Sequence, residues 1–425
     1  MARRRAGFLA LAVAGTLALG ACGSGGTSTA PASNPGEVTG TLRVLVPSYP
    51  ASNEGKAELE KVVASFKTKY PQVTVEPDFA TFDTLNQKIS TSIAGGQGYD
   101  VLVTGIGWVP PFAAKNVFED LSTFGATAES LGESTNPALV PASEYKDKVY
   151  AVPLIAGPKP LALRKSLFEK AGLDPSKPPT TMAEIKTAAE KLTVKDAAGN
   201  ITQAGFDFWA APGGYRQDFV ALLGSLGKPL YNTDGEAEFA GSEGVQTLEW
   251  MKSMVNNVQK YGAQNAAKSP LVNTGEAAMG FTGGYIDCSD KGVGKAVCDD
   301  LVYFNVEDKE GSMFTGGQLA SVGKSSKLKS AAWDFIQELS KPEAEAGIAT
   351  LNFAVPAGKD AAESPVVKSN PASTFVAANL DDAKFEGGAA NWLELRGTFG
   401  TSLDDALLGK KSVEETLKAL EQQSK

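Results

Sequence analysis

The stretch Tyr99-Asp100-Val101-Leu102-Val103 is a short, mostly apolar run, typical of a strand buried in a parallel sheet. Upstream, the pattern predicts a first strand over Thr41 to Val46 and a second over Val73 to Phe79. Apolar residues recur at spacings of three and four in a predicted helix from Asn53 to Tyr70, and a second helix is predicted from Thr81 to Ala94. This alternation of strand and helix predicts an α/β layer structure.

Helical patterns dominate the rest of the chain. After a short predicted strand from Val149 to Ile155, the predicted helices are Ser166 to Ala171, Thr180 or Thr181 to Leu192, Tyr215 to Leu226, Ser242 to Gln259, Lys329 to Leu339, Pro342 to Leu351, Asn391 to Leu408 and Val413 to Gln422.

The N-terminus is typical of a secretory signal peptide over residues 1–21. Arg3-Arg4-Arg5 precedes an apolar run from Phe8 to Leu19, which is shorter than the ~20 residues of a membrane-spanning helix. Leu19-Gly20-Ala21-Cys22 resembles a bacterial lipobox, which implies that Cys22 is lipid-modified. The alternative is an ordinary signal peptide with a cysteine nearby by chance. Residues 22–40, rich in small and polar residues, are predicted to be a flexible tether on the extracellular face of the bacterial cell membrane.

Composition narrows the classes of function. The net charge is −9, and removal of the signal peptide with its three arginines takes it to −12. An acidic chain is a poor partner for nucleic acid, and the lipid anchor is the only membrane contact that we expect. The sequence contains no histidine, the commonest general base and metal ligand. This absence counts against hydrolases of the Ser-His type and against metal chemistry without excluding an enzyme, and we expect no metal and no cofactor. The expectation of no enzymatic activity comes from the family resemblance described below.

Cys288 and Cys298 are the other cysteines in a chain with three. A close pair in an exported protein predicts a disulfide. Two free buried thiols are the alternative.

Several stretches occur together in one order across nearly all of the predicted mature chain: Leu167 to Pro175, Pro178 to Ile185, Gly275 to Tyr285, Ala331 to Ile336, Ser340 to Glu343, Ala354 to Ala357 and Gly409 to Leu417. This ordered set resembles the extracellular solute-binding proteins of ABC importers, in the carbohydrate-binding branch. The resemblance implies a monomer that captures a small carbohydrate and delivers it to the permease subunits of an importer.

The resemblance also implies a two-lobed periplasmic-binding-protein-like fold, with a hinge of several crossing segments and the ligand cleft between the lobes. Chain order assigns residues 40–153 and 317–356 to lobe 1. Residues 154–316 and 357–425 form lobe 2. Short extended segments at these crossings suit a hinge, where a few backbone rotations close the cleft.

Two segments depart from the family pattern. Ala162-Leu163-Arg164-Lys165 stands where the family usually has a run similar to Tyr-Asn-Lys, and the neighbouring Gly157-Pro158-Lys159-Pro160 is also unusual. These departures leave the fold unaffected but bear on which ligand is bound.

A sugar cleft needs flat aromatic surfaces and paired hydrogen-bond groups, because an unpaired buried hydroxyl costs about 1–3 kcal/mol. The resemblance places Tyr285 and Trp392 at positions whose rings stack on sugar. Trp108 is a further candidate because it follows the third strand, where α/β sheets place ligands. The remaining candidates are aromatic, cationic or otherwise polar, or glycine: Tyr49, Phe82, Asp83, Lys159, Trp209, Tyr215, Arg216, Gly316, Gly317 and Arg396. For each aromatic residue, simple packing is the alternative, and Trp250 and Trp333 are predicted core residues.

Two alternatives to sugar binding remain open. Asp83 and Asp207 could form the carboxylate pair of a secreted glycosidase, which needs a separation of about 5–10 Å. Lys159, Arg164 and Arg216 are compatible with an anionic ligand such as a sugar acid or a phosphorylated polyol.

Overall fold

The computed structural model describes residues 34–209, 215–232, 234–262 and 269–425. The predicted signal peptide, Cys22 and most of the tether lie outside these ranges. No helix within the described ranges is long and apolar enough to cross a membrane.

The strands in chain order are β1 Gly40–Leu45, β2 Val73–Asp78, β3 Val101–Gly105, β4 Glu144–Tyr145, β5 Lys148–Val149, β6 Val152–Lys159, β7 Leu161–Arg164, β8 Val194–Lys195, β9 Ile201–Gln203, β10 Met279–Phe281, β11 Leu301–Phe304, β12 Val306–Glu307, β13 Gly311–Val322, β14 Val355–Pro356 and β15 Ala383–Lys384. The α-helices are α1 Asn53–Lys69, α2 Phe82–Ala94, α3 Val109–Ala114, α4 Ala128–Ser134, α5 Lys165–Lys170, α6 Met182–Leu192, α7 Tyr215–Ser225, α8 Ser242–Met254, α9 Leu271–Thr274, α10 Lys295–Asp300, α11 Lys329–Leu339, α12 Pro342–Asn352, α13 Lys359–Ala362, α14 Pro365–Lys368, α15 Pro371–Ala378, α16 Trp392–Leu407 and α17 Val413–Gln423. Short 3-10 turns lie at Pro35–Glu37, Leu121–Phe124, Pro137–Ser143 and Leu380–Asp382.

Local chemistry fixes several helix starts. The Thr181 hydroxyl accepts a hydrogen bond from the Glu184 backbone N–H, and the Glu184 carboxylate accepts one from the Thr181 N–H. This capping box satisfies two N–H groups that the first turn of α6 leaves unpaired. Ser412 and Glu415 form the same arrangement before α17. Helix α12 begins at Pro342, where a missing N–H costs no helical bond.

The main sheet, within the described residues, has eight strands in the order β14-β6-β13-β3-β1-β2, with β12 and β15 paired beside β13. Strand β1 is parallel to β2 and β3, whereas β13 is antiparallel to β3 and β6. Every residue of β3 is buried, as its apolar composition predicts.

Two large groups of buried apolar side chains give the fold its two lobes. The first group draws on residues 42–155 and 320–354, and the second on residues 161–258, 278–314 and 389–420. We call the surrounding structures the first and second lobes. The predicted crossings near Gly316 and Pro356 fall between the two groups, whereas Pro153 lies two residues before the first stretch of the first group ends at Ile155. The lobe boundaries at these residues stay predictions.

Strands β6 and β13 pair with each other where the chain passes between the lobes. Strand β13 contributes Phe314 to the second core and Val322 to the first. Its Gly316 lies opposite Gly157 of β6, so both strands lack side chains at this level. At Gly317, φ is +150°, and a Cβ would lie 2.2 Å from a backbone oxygen of β6. Only glycine fits this close approach.

The structure joins Cys288 to Cys298 in a disulfide, with their Cα atoms 5.8 Å apart. The bridge closes a loop in the second lobe directly after Tyr285. It packs with Ile286 beside the small sheet of β10, β7 and β11.

One helix is shorter than its sequence pattern predicts. The pattern predicts a helix over Ser242 to Gln259, but α8 ends at Met254. Asn256 adopts a left-handed conformation with φ +59°, which interrupts the helix despite the apolar spacing. The backbone N–H groups of Val258 and Gln259 then turn back to the Met254 carbonyl.

Candidate functional site

A cavity of about 300 Å³ lies between the two lobes, at the carboxyl end of β3 and beside the crossing of β6 and β13. Small-molecule sites usually measure ~300–1,000 Å³, and α/β sheets place them at this end of their strands. Both lobes contribute to the lining, which consists of Phe82, Gly105, Ile106, Trp108, Ile155, Gly157, Gln217, Phe314, Gly316, Gly317, Gln318, Asn352, Ala354, Glu386 and Arg396.

Two aromatic rings of the first lobe form one wall of the cavity. Phe82 begins α2, and Trp108 follows β3; their ring centroids lie 6.0 Å apart in an edge-to-face arrangement. Gly105 lies against both rings, because a Cβ there would be 3.1 Å from Trp108 Nε1 and 3.2 Å from the Phe82 ring. A side chain at this position would push the rings away, so glycine lets the exposed Phe82 ring rest against the nearly buried Trp108 ring as an apolar wall.

Amide side chains form the adjoining wall. Ser48 Oγ donates a hydrogen bond to Gln318 Oε1, and Gln318 Nε2 donates to Asn352 Oδ1 over 3.1 Å. Asn352 Nδ2 in turn donates to the backbone oxygens of Ser48 and Ile348 over 2.7 Å each. The network fixes the amide orientations of Gln318 and Asn352 at the cavity.

Lys159 ends β6 on the second-lobe side. Its Nζ lies 3.7 Å from the centroid of the Trp209 ring and donates to Gln217 Oε1. Burial lowers the pKa of Lys159 to about 8; two nearby carboxylates oppose this effect and Arg216 adds to it. Because the lysine occupies the oxygen of Gln217, that side chain offers its amide N–H₂ to the cavity.

Two acidic side chains of the second lobe are buried away from the cavity. Burial raises the pKa of Asp207 to about 7, partly offset by a hydrogen bond from Gln259. Burial also raises the pKa of Asp218 well above its ordinary value, with Lys159 opposing. Asp83 is exposed on α2. Neither Asp83 nor Asp207 lines the cavity, so the structure does not bring them together there as a catalytic pair.

A carboxylate with two arginine partners completes the second-lobe wall. Glu386 Oε2 accepts from Arg216 Nε over 2.6 Å, and Oε1 accepts from Arg396 Nε over 2.8 Å. Burial tends to raise the pKa of Glu386, but the two guanidinium groups outweigh it and hold that pKa below its usual value. The carboxylate therefore stays ionised at neutral pH.

The lobes touch at more than one place around the cavity. The rings of Tyr285 and Phe353 have centroids 5.5 Å apart. Lys115 Nζ lies 2.7 Å from a carboxylate oxygen of Glu394. These pairs join opposite lobes, so a change in the angle between the lobes must break them.

A neighbouring groove of about 330 Å³ also lies between the lobes and shares Glu386 with the cavity. The turn Lys146-Asp147 lines part of it, and both residues have positive φ. Gly107, with φ +86°, packs against the backbone of Glu386 and Gly387 beside this groove. The cavity at the end of β3 contains more of the predicted ligand-binding residues, and we therefore take it as the candidate site.

The predicted site residues fall into four groups. Those that line the cavity are Phe82, Trp108, Gly316, Gly317 and Arg396. Lys159 and Arg216 contact lining residues directly, through Gln217 and Glu386. Trp209 and Tyr285 lie one contact further out, against Lys159 and Phe353. Those that the structure places elsewhere are Tyr49, Asp83, Tyr215 and Trp392.

Trp392 is turned into the core of the second lobe, contrary to its expected place at the ligand. Its side chain is 0% exposed, and its ring lies 5.8 Å from Phe399 and 5.9 Å from Tyr231. The physical reason is helical spacing, because Phe399 follows two turns later on the same buried face of α16. The Arg216 guanidinium lies 5.9 Å from the Trp392 ring, so the indole supports the site from behind.

Tyr49 and Tyr215 are buried in the first and second cores, and Tyr215 stacks on Tyr261. Arg164, a residue considered for an anionic ligand, pairs instead with Asp300 over 2.6 Å, and it does not line the cavity.

Sequence reasoning missed four polar residues of the lining: Gln217, Gln318, Asn352 and Glu386. They come from separate segments that only the folded chain brings together. The available signals were weak: Gln318 follows Gly316-Gly317, and Glu386 precedes Gly387-Gly388. A polar residue next to paired glycines suggests backbone close to a ligand, but many surface turns share the pattern.

The sequence profile of the family described as bacterial extracellular solute-binding protein matches residues 61–375. The chain belongs to this family. This solute-binding protein is 24% identical over 385 residues to a binding protein of Brucella abortus (strain 2308), covering 89% of this chain and 91% of the relative. It is 22% identical over 311 residues to the maltotriose-binding protein of Pyrococcus abyssi (strain GE5 / Orsay), covering 70% of this chain and 63% of that protein.

Solved structures agree with the fold of this solute-binding protein. The sugar-binding protein MalE of Xanthomonas citri superposes with a TM-score of 0.73 at 17% identity, covering 91% of this chain and 96% of that one. The cyclic α-maltosyl-1,6-maltose-binding protein of Arthrobacter globiformis gives a TM-score of 0.71 at 20% identity, covering 91% and 98%. At these identities the similarity shows the two-lobed fold alone.

Proposed function

We propose that the protein is a lipid-anchored substrate-binding protein that captures a neutral sugar, a mono- or short oligosaccharide, and delivers it to the permease of an ABC importer. The observation that carries the proposal is the cavity between the lobes, whose walls combine aromatic rings with fixed amide and guanidinium groups. Relatives named for binding maltotriose and cyclic maltosyl-maltose support the choice of ligand class.

The chemistry of the two walls suits a sugar. The Phe82 ring, 40% exposed, offers apolar surface to the C–H face of a pyranose, and the Trp108 ring, 3% exposed, supports it edge-to-face from behind. Gln318 keeps one amide N–H, and the amide oxygens of Gln318 and Asn352 keep acceptor capacity, at fixed angles to ring hydroxyls; Arg396 provides further donors. A hydroxyl that meets such a group is satisfied on burial, whereas an epimer leaves a buried group unpaired and binds more weakly.

The ionisable groups favour binding over hydrolysis. Among the lining residues that the structure describes, Glu386 is the one carboxylate, and both of its oxygens accept from arginines. A glycosidase needs two carboxylates, about 5–10 Å apart across the scissile bond. An ion-paired carboxylate with a lowered pKa is also a poor general acid at neutral pH.

Isothermal titration calorimetry tests the proposal. Purified protein should bind at least one of maltose, maltotriose, mannobiose and mannotriose saturably, without turnover detectable by chromatography of the sugar. Gln217→Ala should weaken binding by roughly tenfold, the value of one hydrogen bond to a ligand. Gln203→Ala is the matched control, because Gln203 is also half-buried in the second lobe but lies outside the cavity. Sugar hydrolysis, or binding of only sugar acids and sugar phosphates, would overturn the proposal.

The lipid anchor has its own test. Cys22→Ala should release the protein from the membrane fraction into the medium or periplasm while its sugar affinity is unchanged. Equal membrane retention of wild type and variant in fractionated cells would contradict the anchor and leave the binding function standing.

A further inference from the structure

Arg396 reaches the cavity wall as a partly exposed side chain, whereas its partner Glu386 is nearly buried. The exposed fractions of the two side chains are 34% and 5%. The bond between them uses Arg396 Nε, and within the described residues no protein acceptor bonds its Nη groups. Two guanidinium N–H₂ groups are thus left to face the cavity, where they can donate to two neighbouring oxygens of a ligand.

Arg216 holds the other side of the same carboxylate. Its Nε donates to Glu386 Oε2 over 2.6 Å, and its Nη1 donates to the Arg396 backbone oxygen over 3.3 Å. The Arg216 side chain is 9% exposed, so it is itself held by its surroundings. Glu386 is therefore fixed from behind, and Arg216 also ties down the backbone of the helix that carries Arg396.

The charges explain why this arrangement depends on Glu386. Arg216 and Arg396 share one carboxylate, and without its negative charge the two cations would repel each other in a poorly hydrated space. An arginine side chain also has large rotamer freedom, which an ion pair with fixed geometry removes before a ligand binds. Loss of the carboxylate would let Arg396 swing toward solvent.

We infer that Glu386 is a positioning residue that, together with Arg216, presents the two Nη groups of Arg396 to a pair of adjacent hydroxyl oxygens on the sugar. The inference deepens the proposed function and rests on it for the identity of the ligand. It assigns Glu386 no direct contact with the sugar.

The first test needs no sugar. In ¹⁵N-arginine-labelled protein, the Nε–Hε resonance of Arg396 should show a heteronuclear NOE typical of ordered backbone. In Glu386→Gln this value should fall to that of a mobile side chain, whereas Glu386→Asp should retain part of the order. An Arg396 resonance that stays equally ordered in Glu386→Gln would overturn the inference, whatever the protein binds.

The second test is a double-mutant cycle measured by calorimetry, with the tightest binder among maltose, maltotriose, mannobiose and mannotriose as probe. Glu386→Gln and Arg396→Lys should each weaken binding about tenfold, and the double variant should bind no more than about twofold more weakly than the weaker single variant. Additive losses would show that Glu386 acts independently of Arg396. If the wild type binds none of these sugars, the proposed function fails, while the resonance test still decides the positioning role.

Glu119 supplies a matched control for the loss of a buried carboxylate. Its side chain is also 5% exposed and pairs with two cations, Lys324 and Lys329, in the first lobe away from the cavity. Glu119→Gln should lower stability as Glu386→Gln does, yet leave sugar affinity unchanged.

If Glu386→Gln does not fold, Glu386→Asp alone carries both tests. It should shift the Arg396 resonance and weaken binding about threefold, because the shortened carboxylate keeps its charge but not its geometry.

Discussion

The rings of Tyr285 and Phe353 meet across the two lobes, with centroids 5.5 Å apart and planes tilted by 44°. Phe353 follows α12 with φ +51°, a left-handed conformation that a bulky residue rarely adopts, and it is 62% exposed. The backbone thus accepts a conformational cost at the position that carries a ring to the opposite lobe. Strain of this kind concentrates at functional positions, and here it coincides with a contact that opening must break.

Phe353→Gly should remove both the left-handed strain and the ring contact with Tyr285, and the two changes should show in different measurements, stability and binding. Glycine relieves the left-handed backbone, so the free energy of unfolding should rise or stay within about 1 kcal/mol of wild type. Loss of the interlobe ring contact should weaken sugar binding by about three- to tenfold, the value of ~0.5–1.5 kcal/mol for an aromatic pair. Urea titration and calorimetry measure the two effects. Asn116→Gly changes another left-handed residue, with φ +56°, and should not alter affinity; unchanged affinity in Phe353→Gly would refute the role of the ring.

Gly107→Ala should hinder the approach of the two lobes. A Cβ at Gly107 would lie 2.3 Å from the Glu386 backbone oxygen, across the lobe interface. Gly125 is a matched control in the first lobe, because its φ of +82° is close to the +86° of Gly107 but its Cβ would meet nothing within 4 Å. Both substitutions should cost about 1 kcal/mol of backbone strain, and only Gly107→Ala should weaken sugar binding. Equal affinities of the two variants would show that the lobes need not come this close.

Trp392→Ala should destabilise the protein, since the ring belongs to the core of the second lobe. Removal of a buried tryptophan costs about 3–5 kcal/mol, which urea unfolding should record. Trp392→Phe keeps an apolar ring and should bind sugar close to wild type once folded. If Trp392→Phe has normal stability but loses affinity, the indole contacts the ligand after all.

Asp207→Asn should change how stability depends on pH. Burial places the pKa of Asp207 at about 7 in the folded protein, against an ordinary value of 3.8. A raised pKa gives a stabilisation that is complete below about pH 3.8 and is lost as the pH rises through 7, with a slope of at most about 1.4 kcal/mol per pH unit. Asparagine removes this proton, so the fall in stability between pH 4 and 7 should become shallower in urea titrations. The exposed Asp83→Asn is the control; a wild-type slope in Asp207→Asn would contradict the assignment.

The disulfide between Cys288 and Cys298 should contribute to stability more than to binding. It spans a sequence separation of 10 residues, and loops of this size give about 2–4 kcal/mol in the chain-entropy account. The double variant Cys288→Ser/Cys298→Ser should unfold at lower urea concentration and retain sugar affinity within about threefold. Free thiols in protein purified from its native compartment would show that the bridge does not form there.

Much of the fold could be predicted because local patterns and tertiary packing agree. The apolar face of α1 and the cap at Thr181 are visible in sequence, and the structure places α1 and α6 within one or two residues of their predicted bounds. The end of α8 was not predicted correctly. The apolar spacing continues beyond Met254, but the left-handed backbone at Asn256 ends the helix.

The site was less predictable, because its members meet only in three dimensions. Trp108 could be found because its place after a central strand is itself informative. The burial of Trp392 could not be predicted, because a tryptophan in the first turn of an amphipathic helix can face either the cleft or the core. Glu386 could not be assigned either, because its role depends on arginines 170 and 10 residues away in sequence.

Gly157 of β6 and Gly316 of β13 lie opposite each other where these two strands pass between the lobes. Without side chains, the paired strands offer little resistance to bending or twisting at this level. Resistance to opening of the cleft must therefore come from the contacts between the lobes around the cavity. One of them is the ion pair of Lys115 and Glu394, whose side chains are 54% and 59% exposed. Dissolved ions screen such an exposed pair, with a Debye length of about 10 Å at 0.1 M salt and about 3 Å at 1 M. The residence time of a captured solute should thus shorten in saline surroundings, even though none of the groups that touch the solute has changed. A substitution that changes the surface charge of this exposed pair should alter the residence time in the same way, without changing ligand selectivity.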